Sequence, residues 1–395
     1  MIEIIPCSQP LDGSVILPGS KSITNRALLL AALTSGKSKI RGALKSDDTN
    51  FMAAALRKLG IKIDEPNDTT FIVFGKNGKL TESDSPLFLG NAGTATRFLT
   101  AAAILVNGET TIDGDARMRK RPIGDLVDAL RHLGAKIKYL KNESCLPLKI
   151  ISNGKIKGNE VKIRGDISSQ FVSALLMILP FAEQPINLKI ENELTSAGYT
   201  EITKKVIASF SSNFAVEPDA SSATYFWAAE KILKQKIKIS NAPRNWIQPD
   251  ANSQQIMEKF PQNFGIVDGS RFPDAIPTLA ILAAFANGKT RFTDIKNLRL
   301  KECDRIHALA TELNRIKAGL AAEIDDDLII YGDNNLVEHS LGAEIETYND
   351  HRIAMSFFLM GLKIPKIKIR NPSCVTKSFP NFWEVWENLG IKFLR

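Results

Sequence analysis

The sequence predicts an internally repeated α/β fold divided into two domains. Three segments, residues 54–63, 128–137 and 386–393, each place apolar residues at helical spacing before a glycine and alternating residues after it. This order is typical of a helix that ends at a glycine cap and continues as a strand. Weaker copies at residues 207–216, 256–267 and 311–324 raise the number to six. With 395 residues, the chain is long enough for two domains of three copies each.

Composition argues against a membrane protein and against a disulfide-linked or metal-binding one. Hydrophobic residues form 44% and charged residues 24% of the chain, an ordinary globular balance. No apolar run approaches the roughly 20 residues of a membrane-spanning helix. Residues 1–5 show no basic region before an apolar run, so we expect no signal peptide and a cytoplasmic protein. The 4 cysteines lie far apart without CxxC spacing, and we expect neither a disulfide nor a metal site.

The net charge of +8 favours an anionic partner, which could be nucleic acid, an acidic membrane or a phosphorylated metabolite. The positions of the charges narrow this choice. Residues 17–33 run through Pro18 and Gly19 into a helix and place Lys21 and Arg26 near its start, beside small hydroxyl side chains. Because the N-terminus of a helix attracts anions, this segment predicts an anion site. A plain capped helix with two solvated cations is the alternative.

Three more segments in the first half combine a helix start with cations or neutral donors. They are residues 87–100 with Gly90 and Arg97, residues 114–124 with Arg117, Arg119, Lys120 and Arg121, and residues 164–177 with Ser168, Ser169 and Gln170. Each segment also has an explanation that needs no ligand. Residues 87–100 would be a strand–helix turn, residues 114–124 a solvated basic loop, and residues 164–177 a helix cap.

The second half adds carboxylates to the cations. The positions are Lys301, Glu302 and Arg305 in residues 297–306, Asp350, His351 and Arg352 in residues 348–355, and the single residues Asp274 and Lys377. A carboxylate among cations is held in one orientation, which suits proton transfer when it is partly desolvated. Surface salt bridges are the alternative for any single residue. Together, the segments of both halves predict a cleft between two domains for one or two small, heavily anionic ligands.

Eight segments closely resemble, in the same order, those of the 5-enolpyruvylshikimate-3-phosphate synthase family. They are PGSKSITNRALLLAAL, LFLGNAGTATRF, RMRKRPIGDLVDAL, DISSQFVSALLM, PDAIPTLA, NLRLKECDRI, YNDHRIAM and VTKSFP. They reach from residue 18 to residue 380, nearly the whole chain.

The resemblance implies a two-globe, inside-out α/β barrel built from six βαβαββ-type repeats, with the active site in the interdomain cleft. Residues 20–218 would form the N-terminal globe, with a trimmed third repeat, and residues 1–19 with 219–395 the C-terminal globe. The implied reaction transfers the enolpyruvyl group of phosphoenolpyruvate to the 5-hydroxyl of shikimate 3-phosphate and releases phosphate, through a tetrahedral intermediate. It belongs to the shikimate pathway of aromatic amino-acid biosynthesis. No cofactor, nucleic acid or membrane is implied, and we expect a monomer.

The resemblance also assigns roles to residues, motif by motif. The catalytic residues would be Asp274, Glu302 and Lys21. Shikimate 3-phosphate would be bound by Lys21, Ser22, Arg26, Ser168, Ser169, Gln170, Ser196, Tyr199, Asp274, Asn297 and Lys301. Phosphoenolpyruvate would be bound by Lys21, Asn91, Gly93, Arg121, Gln170, Arg305, Arg352 and Lys377.

The chain departs from the family pattern at two places. Between Ile202 and Ala220 it is shorter than the pattern, and Phe98 stands where many members have proline. The phenylalanine would reshape the helix behind the phosphoenolpyruvate site. Because Gly93 leaves room beside that site, we expect glyphosate to compete with phosphoenolpyruvate.

Three alternatives stay open. The sibling transferase that acts on UDP-N-acetylglucosamine carries a reactive cysteine in its basic loop, and residues 117–121 contain none. A nucleic-acid-binding protein would interleave aromatic residues with its cations, whereas aromatic residues form 7% of this chain. A domain that kept the fold and lost the activity would not be expected to retain Lys21, Asp274 and Glu302 together.

Overall fold

The computed structural model describes residues 1–395 and divides into two compact units. The N-terminal unit comprises Gly19–Glu217, and the C-terminal unit comprises Met1–Pro18 with Pro218–Arg395. The chain therefore begins in the C-terminal unit, where residues 1–18 contribute two strands, β1 (Ile2–Ile5) and β2 (Ser14–Val15).

The N-terminal unit contains six helices and ten strands. The helices are α1 (Lys21–Leu33), α2 (Asp47–Lys58), α3 (Gly93–Ala102), α4 (Gly124–His132), α5 (Ser169–Ile178) and α6 (Ala197–Ser209). The strands are β3 (Ser35–Arg41), β4 (Lys62–Asn67), β5 (Thr70–Lys76), β6 (Leu87–Phe88), β7 (Asn107–Asp113), β8 (Lys136–Tyr139), β9 (Leu148–Asn153), β10 (Glu160–Arg164), β11 (Asn187–Glu191) and β12 (Asn213–Ala215).

The rest of the C-terminal unit contains seven helices and eight strands. The helices are α7 (Ala220–Leu233), α8 (Ser253–Met257), α9 (Ile276–Ala284), α10 (Arg305–Ile316), α11 (Leu336–His339), α12 (His351–Gly361) and α13 (Phe382–Asn388). The strands are β13 (Lys238–Ile239), β14 (Gly265–Asp268), β15 (Gly288–Thr293), β16 (Ala321–Ile324), β17 (Asp327–Gly332), β18 (Ala343–Ile345), β19 (Ile367–Ile369) and β20 (Lys392–Leu394).

Each unit holds three sheets. Those of the N-terminal unit have the orders β12-β3-β5-β4, β6-β7-β9-β8 and β10-β11, and those of the C-terminal unit have the orders β14-β15-β17-β16, β18-β19-β1-β20 and β13-β2. In every four-stranded sheet one edge pair is parallel and the other pairings are antiparallel, whereas both two-stranded sheets contain only the parallel pair. The two short sheets therefore lack the antiparallel strands that the other four have.

The three strong helix–glycine–strand predictions are confirmed. After α2, Gly60 has φ +84°, the Gly60 N–H donates to the Arg57 carbonyl at 3.0 Å, and the Ile61 N–H donates to the Leu56 carbonyl at 3.0 Å. The same pair of bonds forms around Gly134 and Gly390, whose φ values are +102° and +98°. Glycine is favoured at this position because the left-handed conformation strains any residue with a Cβ atom.

In two of the weaker copies the strand after the helix has a parallel partner. The strands that follow α6 and α8 are β12 and β14. Strand β12 pairs in parallel with the earlier strand β3, and β14 pairs in parallel with the next strand, β15. In the segment between Ile202 and Ala220, where the chain is shorter than the family pattern, α6 is followed by this one short strand. The hydrophobic pattern predicted the helix and the strand correctly, but it carries no information on the partner strand.

Buried helices form the interior of both units. Every residue of α3, α9 and α12 is buried, which is typical of a helix surrounded by other elements. In the C-terminal unit α7, α9 and α12 contact one another, and in the N-terminal unit α3 contacts both α1 and α5. The first residues of α3, α5 and α12 belong to the motifs of the sequence analysis, so the buried helices position those motifs. None of the helices has the length and apolar character that crossing a membrane requires.

Candidate active site

In the N-terminal unit, Lys21 pairs with a carboxylate that the sequence analysis did not predict. Lys21 is the first residue of α1 because Ser20 caps the helix, its Oγ accepting a backbone N–H of the first turn at 3.4 Å. The Lys21 Nζ lies 3.3 Å from Asp48 Oδ2, and 3% of the Asp48 side chain is exposed. The contact orients the ammonium group. The signal for Asp48 is the sequence Ser46-Asp47-Asp48, a typical helix start.

Arg26 is buried among neutral hydrogen-bond acceptors. Its Nε donates to Thr203 Oγ1 at 2.7 Å, and its Nη1 donates to the Ser22 carbonyl at 2.8 Å. Its Nη2 donates to the Tyr199 carbonyl at 3.1 Å, and the Phe98 ring centroid lies 5.2 Å from the guanidinium. Burial lowers the pKa of Arg26 to about 10, and Tyr199 opposes this effect. The structure thus brings together three predicted ligands of shikimate 3-phosphate and places the Phe98 ring beside Arg26.

The predicted phosphoenolpyruvate residues of this unit meet at the start of α3. Arg121 Nη1 donates to Asn91 Oδ1 at 3.2 Å. A Cβ atom on Gly93 would lie 2.7 Å from both Nη atoms of Arg121, so the arginine can occupy this position only beside a glycine. Elsewhere in the basic loop, Arg119 pairs with Asp113, and its Nε lies 2.8 Å from Asp113 Oδ1. The loop therefore directs Arg121 to the α3 start and Arg119 away from it.

The start of α5 is joined to the start of α3. Ser168 caps α5, its Oγ accepting the Gln170 N–H at 3.3 Å, and Gln170 Nε2 donates to Thr94 Oγ1 at 3.2 Å. Ser169 is buried beside them as the first residue of α5. Ser196 occupies the position before α6 in a left-handed conformation with φ +53°. Neutral donors from the starts of α5 and α6 are thus presented in the same unit as the cations.

In the C-terminal unit, Asp274 contacts three cations. Its Oδ1 lies 3.0 Å from Arg305 Nη1 and 3.4 Å from Lys301 Nζ. Its Oδ2 lies 3.0 Å from Arg352 Nη2. The side chain of Asp274 is 16% exposed, so most of the cluster is shielded from water. Asp274 therefore brings together three predicted cations, and the four residues come from three separate motifs.

Arg305 connects this cluster to two further carboxylates. Its Nε lies 2.8 Å from Asp350 Oδ2, and its Nη2 lies 2.9 Å from Glu302 Oε2. Glu302 Oε1 in turn lies 3.8 Å from Lys377 Nζ. Burial by itself would lower the pKa of Arg305, but Asp350, Glu302 and Asp274 outweigh it and raise that pKa above its usual value. Asp350 has no role assigned from the sequence, and in the structure it holds Arg305.

Arg352 lies next to two buried groups that the sequence analysis missed. Its Nη1 donates to the Tyr225 hydroxyl at 3.3 Å, and burial raises the pKa of Tyr225 to about 12. Asp250, which accepts a hydrogen bond from the Ser221 hydroxyl, is fully buried nearby. Burial and the charge of Asp274 raise the pKa of Asp250 to about 6, although Arg352 opposes this. Neither residue stands in a recognisable motif, so only their packing reveals them.

Asn297 and Lys301 lie at the two ends of a short segment that Arg299 anchors. Arg299 Nε lies 2.8 Å from Asp326 Oδ1, and its Nη1 lies 2.8 Å from Asp304 Oδ2. Asn297 belongs to the 3₁₀ turn Lys296–Leu300, and Lys301 follows it. Arg299 therefore fixes the backbone that carries both predicted ligands.

The two units carry complementary chemistry. The N-terminal unit presents fixed cations with neutral donors, and the C-terminal unit presents cations interleaved with carboxylates. The first set suits the binding of phosphate and hydroxyl groups, and the second suits anion binding combined with proton transfer. No three or more His, Cys, Asp or Glu side chains are grouped so that they could hold a metal ion.

The comparisons with known proteins agree on one family. A sequence model of the family described as EPSP synthase (3-phosphoshikimate 1-carboxyvinyltransferase) matches residues 5–213, 209–263 and 251–386. A 3-phosphoshikimate 1-carboxyvinyltransferase of Rhizobium etli is 48% identical, over 99% of this chain and 98% of that protein. One of Pseudomonas syringae pv. syringae is 44% identical, over 100% and 99% respectively. The structure of EPSP synthase from Acinetobacter baumannii has the same α/β fold, with a TM-score of 0.79 and 24% identity over 100% of this chain and 99% of that one. The chain therefore belongs to the EPSP synthase family.

Proposed function

We propose that this protein transfers the enolpyruvyl group of phosphoenolpyruvate to the 5-hydroxyl of shikimate 3-phosphate and releases phosphate. The names of its relatives describe this transfer, and the cluster around Asp274 is the observation that carries the proposal. Phosphoenolpyruvate has a phosphate and a carboxylate, so its site needs several fixed cations with a proton-transfer group beside them. Arg305 and Arg352 within 3.0 Å of Asp274 meet that need.

The substrates are assigned to both units. For phosphoenolpyruvate we propose Lys21, Asn91, Gly93, Arg121, Gln170, Arg305, Arg352 and Lys377. For shikimate 3-phosphate we propose Lys21, Ser22, Arg26, Ser168, Ser169, Gln170, Ser196, Tyr199, Asp274, Asn297 and Lys301. The contact of Arg121 with Asn91 supports the first set, and the contacts of Arg26 with Ser22 and Tyr199 support the second.

In the proposed mechanism, the methylene carbon of phosphoenolpyruvate takes up a proton while the 5-hydroxyl attacks its C2 and loses its own proton. The tetrahedral intermediate then eliminates phosphate and loses a proton from the new methyl group, which restores the double bond. Asp274, Glu302 and Lys21 are the proposed proton-transfer groups. The pairing of Lys21 with Asp48 and of Glu302 with Arg305 supports their fixed orientation. The surrounding cations would stabilise the negative charge of the intermediate.

For the fold, we propose six βαβαββ-type repeats arranged as a two-globe, inside-out barrel with the active site in the cleft between the globes. Residues 20–218 would form one globe, and residues 1–19 with 219–395 the other. The common strand order of the four larger sheets supports a repeated unit. The two-stranded sheets would then mark two trimmed repeats, one of them between Ile202 and Ala220. We further propose a cytoplasmic monomer.

The cysteines argue against the sibling reaction on UDP-N-acetylglucosamine. A reactive cysteine has a lowered pKa beside cations. In this chain burial raises the pKa of Cys7, Cys145, Cys303 and Cys374. Cys145 lies near Arg97, but burial outweighs the arginine. No thiol is therefore activated for that chemistry.

The decisive experiment measures phosphate release by the purified protein with phosphoenolpyruvate and either shikimate 3-phosphate or UDP-N-acetylglucosamine. We expect release with shikimate 3-phosphate alone. Release only with UDP-N-acetylglucosamine would establish the sibling reaction. If a folded protein released phosphate with neither acceptor, and bound DNA or RNA in a steeply salt-dependent manner, the proposal would be wrong.

We also propose that glyphosate competes with phosphoenolpyruvate. The absence of a Cβ atom on Gly93 lets the Arg121 guanidinium lie against the start of α3, and this cation supports binding of a second small anion there. Initial rates at several concentrations of both compounds test this. The proposal would be wrong if millimolar glyphosate did not inhibit the protein, or if phosphoenolpyruvate did not relieve the inhibition. Either result would point to Phe98 as the cause.

A further inference from the structure

The turn that precedes α12 has an unusual backbone. The Asp350 N–H donates to the Thr347 carbonyl at 2.8 Å, and the two residues between them, Tyr348 and Asn349, have φ values of +53° and +56°. Two consecutive left-handed residues are typical of turns built from glycine and asparagine. Asn349 suits this geometry, but a tyrosine there is an outlier. Such a conformation persists only where surrounding contacts enforce it.

Glu312 provides those contacts. Its side chain is fully buried in α10, and its Oε1 accepts the Tyr348 hydroxyl at 2.7 Å. Its Oε2 accepts the Glu346 N–H at 3.1 Å, so one carboxylate binds the chain on both sides of Thr347. From the other direction, Asn371 Nδ2 donates to Asn349 Oδ1 at 2.9 Å.

The turn positions two residues of the candidate active site. Asp350 caps α12, its Oδ1 accepting the Arg352 N–H at 2.8 Å, and its Oδ2 lies 2.8 Å from Arg305 Nε. Arg352 reaches Asp274 at 3.0 Å. A change of Tyr348 to right-handed backbone would redirect Asp350, and the partners of both arginines would shift with it.

We propose that Glu312 and Tyr348 are positioning residues, which lock the left-handed turn so that Asp350 and Arg352 are aligned for binding of phosphoenolpyruvate. The inference rests on the proposed function. Neither residue is among the substrate ligands or proton-transfer groups proposed above. They act through the backbone between Glu346 and Arg352.

Two substitutions of the same tyrosine distinguish backbone control from packing. Tyr348→Asn and Tyr348→Val both remove the hydroxyl, but asparagine tolerates the left-handed conformation and the β-branched valine does not. We expect the KM of Tyr348→Val for phosphoenolpyruvate to be at least about ten times the KM of Tyr348→Asn. Small displacements of binding groups have large effects. The KM for shikimate 3-phosphate should change less. If packing alone matters, the apolar valine will be the better tolerated of the two, and the proposal fails.

Hydrogen exchange supplies a test that does not depend on turnover. In Glu312→Gln we expect faster exchange of the Asp350 and Arg352 amides than in the unaltered protein, with Glu338→Gln, an exposed glutamate of α11, as the unchanged control. Unchanged exchange in Glu312→Gln would overturn the proposal even in an active enzyme. If the unaltered protein released no phosphate, the proposed function would fail separately, and the exchange experiment would still decide whether Glu312 locks the turn.

Discussion

At the scale of the residue, two buried arginines have opposite surroundings. Arg26 donates to neutral oxygens and lies against the Phe98 ring, and burial lowers its pKa. Arg305 contacts three carboxylates, which outweigh burial and raise its pKa. Arg26 therefore keeps an uncompensated charge that an anionic ligand can offset, whereas the carboxylates around Arg305 fix the orientation of its guanidinium.

The contact of Lys21 with Asp48 leads to a first prediction. Lys21→Met should fold normally, because methionine has a similar length, but should lower kcat about a hundredfold or more, as loss of a fixed cation at a developing charge does. Lys45→Met is the matched control, since Lys45 pairs with Glu65 at 2.9 Å and has no assigned role. Steady-state phosphate release and circular dichroism of both variants provide the measurement. Equal turnover in the two variants would contradict the role of Lys21.

Asp250 gives a prediction for stability against pH. Burial raises its folded-state pKa to about 6, above the roughly 3.9 of a free aspartate. The folded protein therefore binds the extra proton, and the stability that this contributes is complete below about pH 4 and is lost as the pH rises through about 6. Asp250→Asn does not titrate, so its unfolding free energy relative to the unaltered protein should improve between pH 4 and pH 7, by up to about 3 kcal/mol.

Denaturant unfolding followed by tryptophan fluorescence measures this difference, because all four tryptophans lie in the C-terminal unit. Asp12→Asn changes an exposed aspartate of the same unit and serves as control. If the difference in unfolding free energy between Asp250→Asn and the unaltered protein did not vary with pH, Asp250 would be ionised throughout the range from about pH 4 to pH 7.

At the scale of the element, the helix starts and ends have separate tasks. The starts of α1, α3 and α5 present the donors of the N-terminal unit, while the glycine-capped ends of α2, α4 and α13 turn the chain back into strands. Both are local features. Their motifs could therefore be recognised from the sequence, including the glycines that end the helices, Gly60, Gly134 and Gly390.

The three equivalent glycines allow a matched comparison. Each Gly→Ala change should cost roughly 1 kcal/mol of unfolding free energy, because alanine is strained at positive φ. Gly60→Ala should cost clearly more than Gly134→Ala or Gly390→Ala. A Cβ atom on Gly60 would lie 2.3 Å from Thr81 Oγ1, whereas the nearest atom to one on Gly134 is 3.8 Å away and Gly390 has none within 4 Å. Denaturation followed by circular dichroism tests the order, and equal costs would show that Thr81 moves aside freely.

At the scale of the whole molecule, the C-terminal unit joins the two ends of the chain. Strand β1 lies between β19 and β20 in one sheet, and β2 pairs with β13 in another. Without residues 1–18, β19 and β20 would lose their common neighbour. The strand pairing therefore explains why the C-terminal unit is discontinuous in sequence.

Substitutions on the two faces of β1 test this role. Ile4 is fully buried, and Ile4→Ala should lower the unfolding free energy of the C-terminal unit by about 2–5 kcal/mol. The adjacent Glu3, whose side chain is 23% exposed, makes a 3.6 Å contact with Lys368, and Glu3→Ala should cost less than about 1 kcal/mol. Tryptophan fluorescence during denaturation reports both. Similar small effects would mean that β1 is dispensable.

The sequence by itself determined the α/β class, the glycine-capped helix ends and the motif residues that carry the candidate chemistry. These depend on neighbours a few positions away, where backbone conformation and capping act. Only the tertiary structure decided which side chains and which strands pair with each other. Asp274 meets Arg352 across 78 positions, Arg305 meets Asp350 across 45, and β12 pairs with the distant strand β3. Such contacts depend on how distant elements pack, so local hydrophobic patterns and motifs cannot specify them.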